Sequence, residues 1–122
     1  MLTQQDWAIY AGATARWMIT LLDADDERED LTGGTLYLQV RTAVDAADPP
    51  ALSLETNAGI LHETQADETL GQAAVTFTAA QTVALAPGTY FYDVFYDDDS
   101  GDRWTVVPTS KLIVKDPVTV PA

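Results

Sequence analysis

Carboxylates are the most abundant reactive side chains in this 122-residue sequence, which has 19 Asp and Glu residues. Many of them lie in two short runs, residues 23–30 and residues 97–102. Paired carboxylates can hydrolyse glycosides, and clustered ones can bind Ca²⁺. A catalytic acid, however, needs an apolar pocket that raises its pKa, and neither run matches the spacing of an EF-hand. We interpret both runs as solvated turns, with a calcium site as the alternative.

Other catalytic and metal-binding sets are incomplete. His62 is the only histidine and there is no cysteine, so the partners of a zinc site or a cysteine nucleophile are missing. Gly33 and Gly34 lack the lysine and the following helix of a phosphate-binding loop. We therefore expect no enzymatic activity and no cofactor, and a carboxylate-based hydrolase is the enzymatic alternative.

The charge of the chain limits its partners. The formal net charge is −13, which repels nucleic-acid phosphates and anionic membrane surfaces. No stretch approaches the roughly 18 apolar residues of a membrane span. We expect no nucleic-acid or membrane partner. A basic protein surface or a cation fits the charge better, although acidic surfaces also arise for solubility.

Apolar and polar residues alternate along most of the chain, as they do in half-buried strands. Gly, Pro and Asn residues separate these segments. The predicted strands are residues 6–10, 16–21, 35–41, 51–54, 59–62, 73–78, 89–96, 103–107 and 111–114. Residues 78–85 are predicted to form a short helical crossover with Thr78 as its N-cap. The predicted core consists of Trp17, Ile19, Leu21, Leu36, Leu38, Val40, Val75, Phe77, Tyr90, Tyr92, Val94, Trp104 and Val106.

The segment Leu85-Ala86-Pro87-Gly88-Thr89-Tyr90 precedes an aromatic strand. Its L-x-P-G-x-Y spacing resembles the tyrosine corner of immunoglobulin-like and fibronectin type III domains. In that motif the tyrosine hydroxyl bonds to backbone a few residues upstream, so Tyr90 is predicted to be structural. We expect an all-β fold: an immunoglobulin-like β-sandwich of about seven to nine antiparallel strands. It would cover residues 1–115, followed by an extended C-terminal arm at residues 116–122.

The order of several motifs resembles that in a group of small bacteriophage virion proteins with immunoglobulin-like folds. These motifs are Trp17, Asp30-Leu31-Thr32-Gly33, Arg41, Thr78-Ala79-Ala80-Gln81-Thr82 and Pro87-Gly88-Thr89-Tyr90-Phe91-Tyr92-Asp93. The resemblance implies a non-enzymatic virion component, such as a tail or baseplate adaptor or a capsid decoration or cement protein. It implies other virion proteins as partners, several copies in an assembly and location in the virion. The alternative is a free acidic binding module or inhibitor that mimics nucleic acid to block a basic host protein.

The aromatic strand at residues 89–96 has apolar side chains on both faces. Phe91 and Phe95 project opposite to Tyr90, Tyr92, Val94 and Tyr96. One face belongs to the core, and an exposed aromatic pair on the other usually marks an interaction surface. We predict that Phe91, Phe95 and Tyr37 contact a partner. Cover by a terminal arm of the same chain is the alternative.

Overall fold

The structure is a computed structural model that describes residues 6–22, 25–45, 50–66 and 68–117. Within these ranges the chain forms eight strands and one helix. The strands are β1 (Trp7–Tyr10), β2 (Ala15–Thr20), β3 (Thr35–Arg41), β4 (Leu52–Thr56), β5 (Gly59–His62), β6 (Gln72–Phe77), β7 (Gly88–Asp97) and β8 (Arg103–Lys115). Helix α1 (Ala79–Ala84) connects β6 to β7. Most of the predicted C-terminal arm, residues 118–122, lies outside the described ranges.

The strands form one hydrogen-bonded ladder in the order β1-β8-β7-β3-β4-β5-β6-β2. Strands β4 and β5 share only two residue pairs, Glu55 with Gly59 and Thr56 with Ile60. This corner separates a five-stranded half, β1-β8-β7-β3-β4, from a three-stranded half, β5-β6-β2. The ladder is nearly closed, because Trp7 on one edge strand stacks on Trp17 of the other with ring centroids 4.3 Å apart.

The fold is all-β with one short helical crossover, as the sequence predicts. Two strand pairs are parallel rather than antiparallel, namely β1 with β8 and β4 with β5. Parallel pairing of β1 requires contact between residues about a hundred positions apart, such as Trp7 and Leu112. Alternation within a single strand carries no information about such a partner.

A single core lies inside the ladder and follows the predicted alternation. Strand β3 buries Leu36, Leu38 and Val40, and all three are 0% exposed. Trp17 is only partly buried and packs against the edge of the core. Trp104 was expected in the core, but it is 46% exposed. Trp104 is paired with the buried Tyr96, so its side chain lies on the inner side of the sheet. It is exposed because it lies at the start of β8, beyond the end of the core.

Strand β8 merges two strands that were predicted separately, residues 103–107 and 111–114. Pro108 interrupts the alternation and indicates a turn in the sequence, but the strand continues through it. The register with β7 shifts on both sides of Val94. This irregularity lets Val106 and Val107, which are consecutive, both enter the core.

The predicted helix and the predicted tyrosine corner are both confirmed. Thr78 and Gln81 form a reciprocal capping box at the start of α1. The hydroxyl of Thr82, buried in this helix, donates to the carbonyl of Ala13 at 2.8 Å and so ties α1 to the turn after β1. The Tyr90 hydroxyl donates to the carbonyl oxygen of Ala86 at 2.8 Å, which is the bond that defines the corner.

Candidate partner-binding face

The three predicted contact residues share the outer side of the five-stranded half. Tyr37 on β3 pairs directly with Phe95 on β7, and Phe91 pairs with Arg41. Strand β7 alternates strictly from Tyr90 to Asp97, with buried residues between partly exposed ones. The predicted orientation of Phe91 and Phe95 is therefore correct. We name the outward side chains of β4, β3, β7, β8 and β1 the outer face.

Two shallow, open depressions lie on the outer face, on either side of Asp93. One is lined by Tyr37, Gln39, Asp93, Phe95 and Arg103. The other is lined by Gln39, Arg41, Val44, Phe91, Tyr92, Asp93, Phe95 and Thr109. Aromatic side chains around open depressions are typical of a protein-binding surface, whereas a small-molecule site is usually a concave cleft that buries most of its ligand.

Charged groups on the outer face are held in defined positions. Arg103 binds the Asp97 carboxylate with two hydrogen bonds, of 2.6 and 2.9 Å, and its guanidinium carbon lies 5.9 Å from the Tyr37 ring centroid. The Arg103 hydrogen bond lowers the pKa of Asp97. Burial raises the pKa of Asp93, and the positive charge of Arg41 opposes that shift. The outer face thus presents aromatic rings bordered by both signs of charge.

The acidic hairpin after β7 is organised by one carboxylate. Asp98 accepts hydrogen bonds from the Trp104 indole at 3.0 Å, and from the backbone amides of Ser100 and Asp102 at 3.0 and 2.9 Å. The Ser100 hydroxyl donates a fourth bond at 2.7 Å. Together these bonds, the Trp104 bond foremost, lower the pKa of Asp98 to about 2. The carboxylate therefore has a structural role in the turn.

The first acidic run also contains a turn-forming carboxylate. Asp30 accepts bonds from the backbone amide and the hydroxyl of Thr32, at 2.9 and 2.7 Å, and these bonds lower its pKa. Residues 23 and 24 of this run lie outside the described ranges. Among the residues that the structure describes, no group of three or more His, Asp or Glu side chains could hold a metal ion. The calcium hypothesis therefore gains no geometric support.

His62 bridges neighbouring strands. Its Nε2 lies 3.0 Å from the Thr56 hydroxyl, and that hydroxyl oxygen accepts a bond from the Leu36 amide at 2.8 Å. Partial burial lowers the pKa of His62. The contacts connect β5 to β4 and β3 at the corner of the ladder, so they account for His62 as a structural residue.

Two features were missed at the sequence level. Trp7 is 8% exposed and stacks between Trp17 and Tyr92, although its alternation with Ile9 could have indicated a core position. On the outside of the three-stranded half, Met18 and Leu61 are 52% and 61% exposed. Both are in register with Ala74, so they form a small apolar row on the three-stranded half. Leu61 also lines a depression that it shares with Tyr37 and Glu55 of the outer face.

Comparisons with known proteins do not assign the chain to a family. No protein-family model and no curated protein sequence matches the chain. Among solved structures, it is similar to AggA, the major subunit of aggregative adherence fimbriae type I from Escherichia coli. The TM-score is 0.34 and the sequence identity 14%, over 92% of this chain and 91% of that chain. A likeness of this size carries no argument about fold or function.

Helix α1 has six residues, and the described part of the chain contains no helical segment with the length and hydrophobicity of a membrane span.

Proposed function

We propose that this chain is a non-enzymatic structural component of a bacteriophage virion, a tail or baseplate adaptor or a capsid decoration or cement protein. It acts through contacts with other virion proteins. The observation that carries the proposal is the outer face, where Tyr37, Phe91 and Phe95 remain partly exposed beside charged side chains. Aromatic residues and arginine are enriched in protein interfaces and at their energetic hot spots.

The motifs that resemble phage virion proteins have structural explanations here. Asp30 forms the turn before β3, Thr78 caps the crossover helix, and Tyr90 makes the tyrosine corner. A set of residues that specifies a scaffold, together with an aromatic surface, supports a role in assembly. It gives no support to a reacting centre.

The test is the composition of purified phage particles produced from the genome that encodes this chain. Mass spectrometry of gradient-purified particles should find the chain in stoichiometric amounts with the major structural proteins. Its absence from the particles would contradict the proposal. Turnover of a glycoside by the purified chain, abolished by a single Asp→Asn change, would contradict the non-enzymatic part.

The contribution of the outer face is tested with a pair of matched double variants. Phe91→Ser with Phe95→Ser should reduce incorporation into particles, because it removes the aromatic contact area. Met18→Ser with Val83→Ser removes two exposed apolar side chains that lie outside the outer face, and it should leave incorporation unchanged. Equal incorporation of both double variants would exclude the outer face as the contact surface.

A further inference from the structure

Basic side chains are concentrated on the outer face. Of the six Lys and Arg residues in the sequence, the outer face has four, which are Arg41, Arg103, Lys111 and Lys115. The outward acidic side chains of the same strands are Glu55, Asp93 and Asp97. Of 19 acidic and six basic residues, sixteen acidic and two basic ones are left for the rest of the sequence. The outer face is thus close to neutral on a strongly acidic molecule.

The size of this face suits a specific protein contact. The five strands have 39 residues in all, and with a rise of about 3.4 Å per residue and a strand spacing of about 4.8 Å they cover about 640 Å². A standard protein interface buries about 600 to 1,000 Å² on each partner, so the face reaches the lower part of that range. The face also has several exposed or partly exposed apolar side chains, namely Tyr10, Tyr37, Phe91, Phe95 and Ile113.

The charge pattern distinguishes between kinds of partner. A basic partner would be attracted to the acidic remainder of the molecule rather than to its neutral face. A partner that is itself acidic can approach only where both surfaces lack net negative charge. A second copy of this chain meets that condition when the two outer faces meet. Because the face has both signs of charge, with Arg103 beside Asp97 and Arg41 beside Asp93, it is also suited to bind itself.

We propose that two copies of this chain associate through their outer faces as an isologous pair. This inference rests on the proposed function, because both use the outer face as the contact surface. It adds that the partner is a second copy of this chain. Tyr37, Phe91 and Phe95 become buried between the copies. Each copy has a net charge of −13, so the long-range force between copies is repulsive. Added salt screens that repulsion and strengthens the association.

The association is measured by sedimentation velocity on the purified full-length chain, over a concentration series at low and at high salt. The wild-type chain should form a dimer whose dissociation constant falls as salt rises. Thr105→Glu places a negative charge beside Phe95 on the outer face and should raise the dissociation constant at least about tenfold. Met18→Glu adds the same charge to β2 of the three-stranded half, outside the outer face, and should leave the constant within about twofold.

Thermal melts accompany each variant. If Thr105→Glu fails to fold, Lys111→Glu takes its place, because Lys111 is also an exposed residue of the outer face. A wild-type chain that stays monomeric at every concentration, or equal effects of the two glutamate variants, would overturn the inference. The inference would also be overturned if the chain is monomeric and the combined Phe91→Ser and Phe95→Ser substitutions lower its melting temperature. In that case a terminal segment of the same chain covers the outer face. Particle incorporation is measured separately, so a monomer that still enters particles refutes the pairing and leaves the proposed function standing.

Discussion

Replacing Tyr90 with phenylalanine removes one hydroxyl and leaves the ring in place. Tyr90 is 8% exposed, and its hydroxyl donates to the Ala86 carbonyl at 2.8 Å, within the usual range for such bonds. Ala86 itself is exposed, so water can reach its carbonyl after the change. The cost is therefore that of one net hydrogen bond, about 1 kcal/mol, without the further penalty of a buried orphan acceptor.

For a domain of this length, a loss of about 1 kcal/mol lowers the melting temperature by about 4 °C. Thermal unfolding followed by circular dichroism measures the shift. Tyr96→Phe is the matched control: its hydroxyl lies 3.4 Å from the Asp30 carbonyl, too far for a strong bond. The control should lose about 0.5 kcal/mol or less. If Tyr90→Phe melts like the wild type, or no lower than Tyr96→Phe, the tyrosine corner does not stabilise this fold.

Three further predictions concern stability. Trp17→Ala should lower the free energy of unfolding by about 3 kcal/mol, which is at the lower end for a tryptophan because Trp17 is only partly buried. If a thermal melt shows no loss of stability, the stacking of Trp17 on Trp7 does not hold the ladder closed. Gly34→Ala should lower the free energy of unfolding by about 1 to 3 kcal/mol, because a Cβ at this position overlaps the ring of the buried Tyr96. A variant with wild-type stability in a denaturant titration would show that this clash does not occur. The folded-state pKa of Asp98 is about 2, below its ordinary value of 3.8, so its carboxylate stabilises the fold above pH 3.8, and this contribution is lost as pH falls towards about 2. The melting temperature of Asp98→Asn should accordingly fall less than that of the wild type across this window, and parallel curves would show that the hairpin bonds do not contribute.

Local patterns predicted the parts of the fold that depend on local chemistry. Alternation identified the inward faces of β3 and β7, because side chains of a strand point to opposite sides in turn. The capping residue Thr78 and the corner residue Tyr90 were also found, because each satisfies a backbone group within four residues of itself. The outward direction of Phe91 and Phe95 followed from the same alternation.

The remaining features depend on contacts that are distant in sequence. Trp104 has inward parity, but its exposure depends on where the core ends, which only the assembled ladder defines. Trp7 enters the core because β1 pairs with β8, about a hundred residues away. The near-neutral outer face likewise joins charges from β3, β4, β7 and β8. Neither composition nor a linear charge run reveals that segregation.

A cryo-EM map of the phage particle tests the central claim most directly, because it shows both whether the chain is part of the virion and which side makes contact. The proposed function predicts density for this eight-stranded domain, with Tyr37, Phe91 and Phe95 buried against a neighbouring protein chain. A particle without the domain, or one in which the domain is bound through its other surfaces while the outer face stays open to solvent, would contradict it.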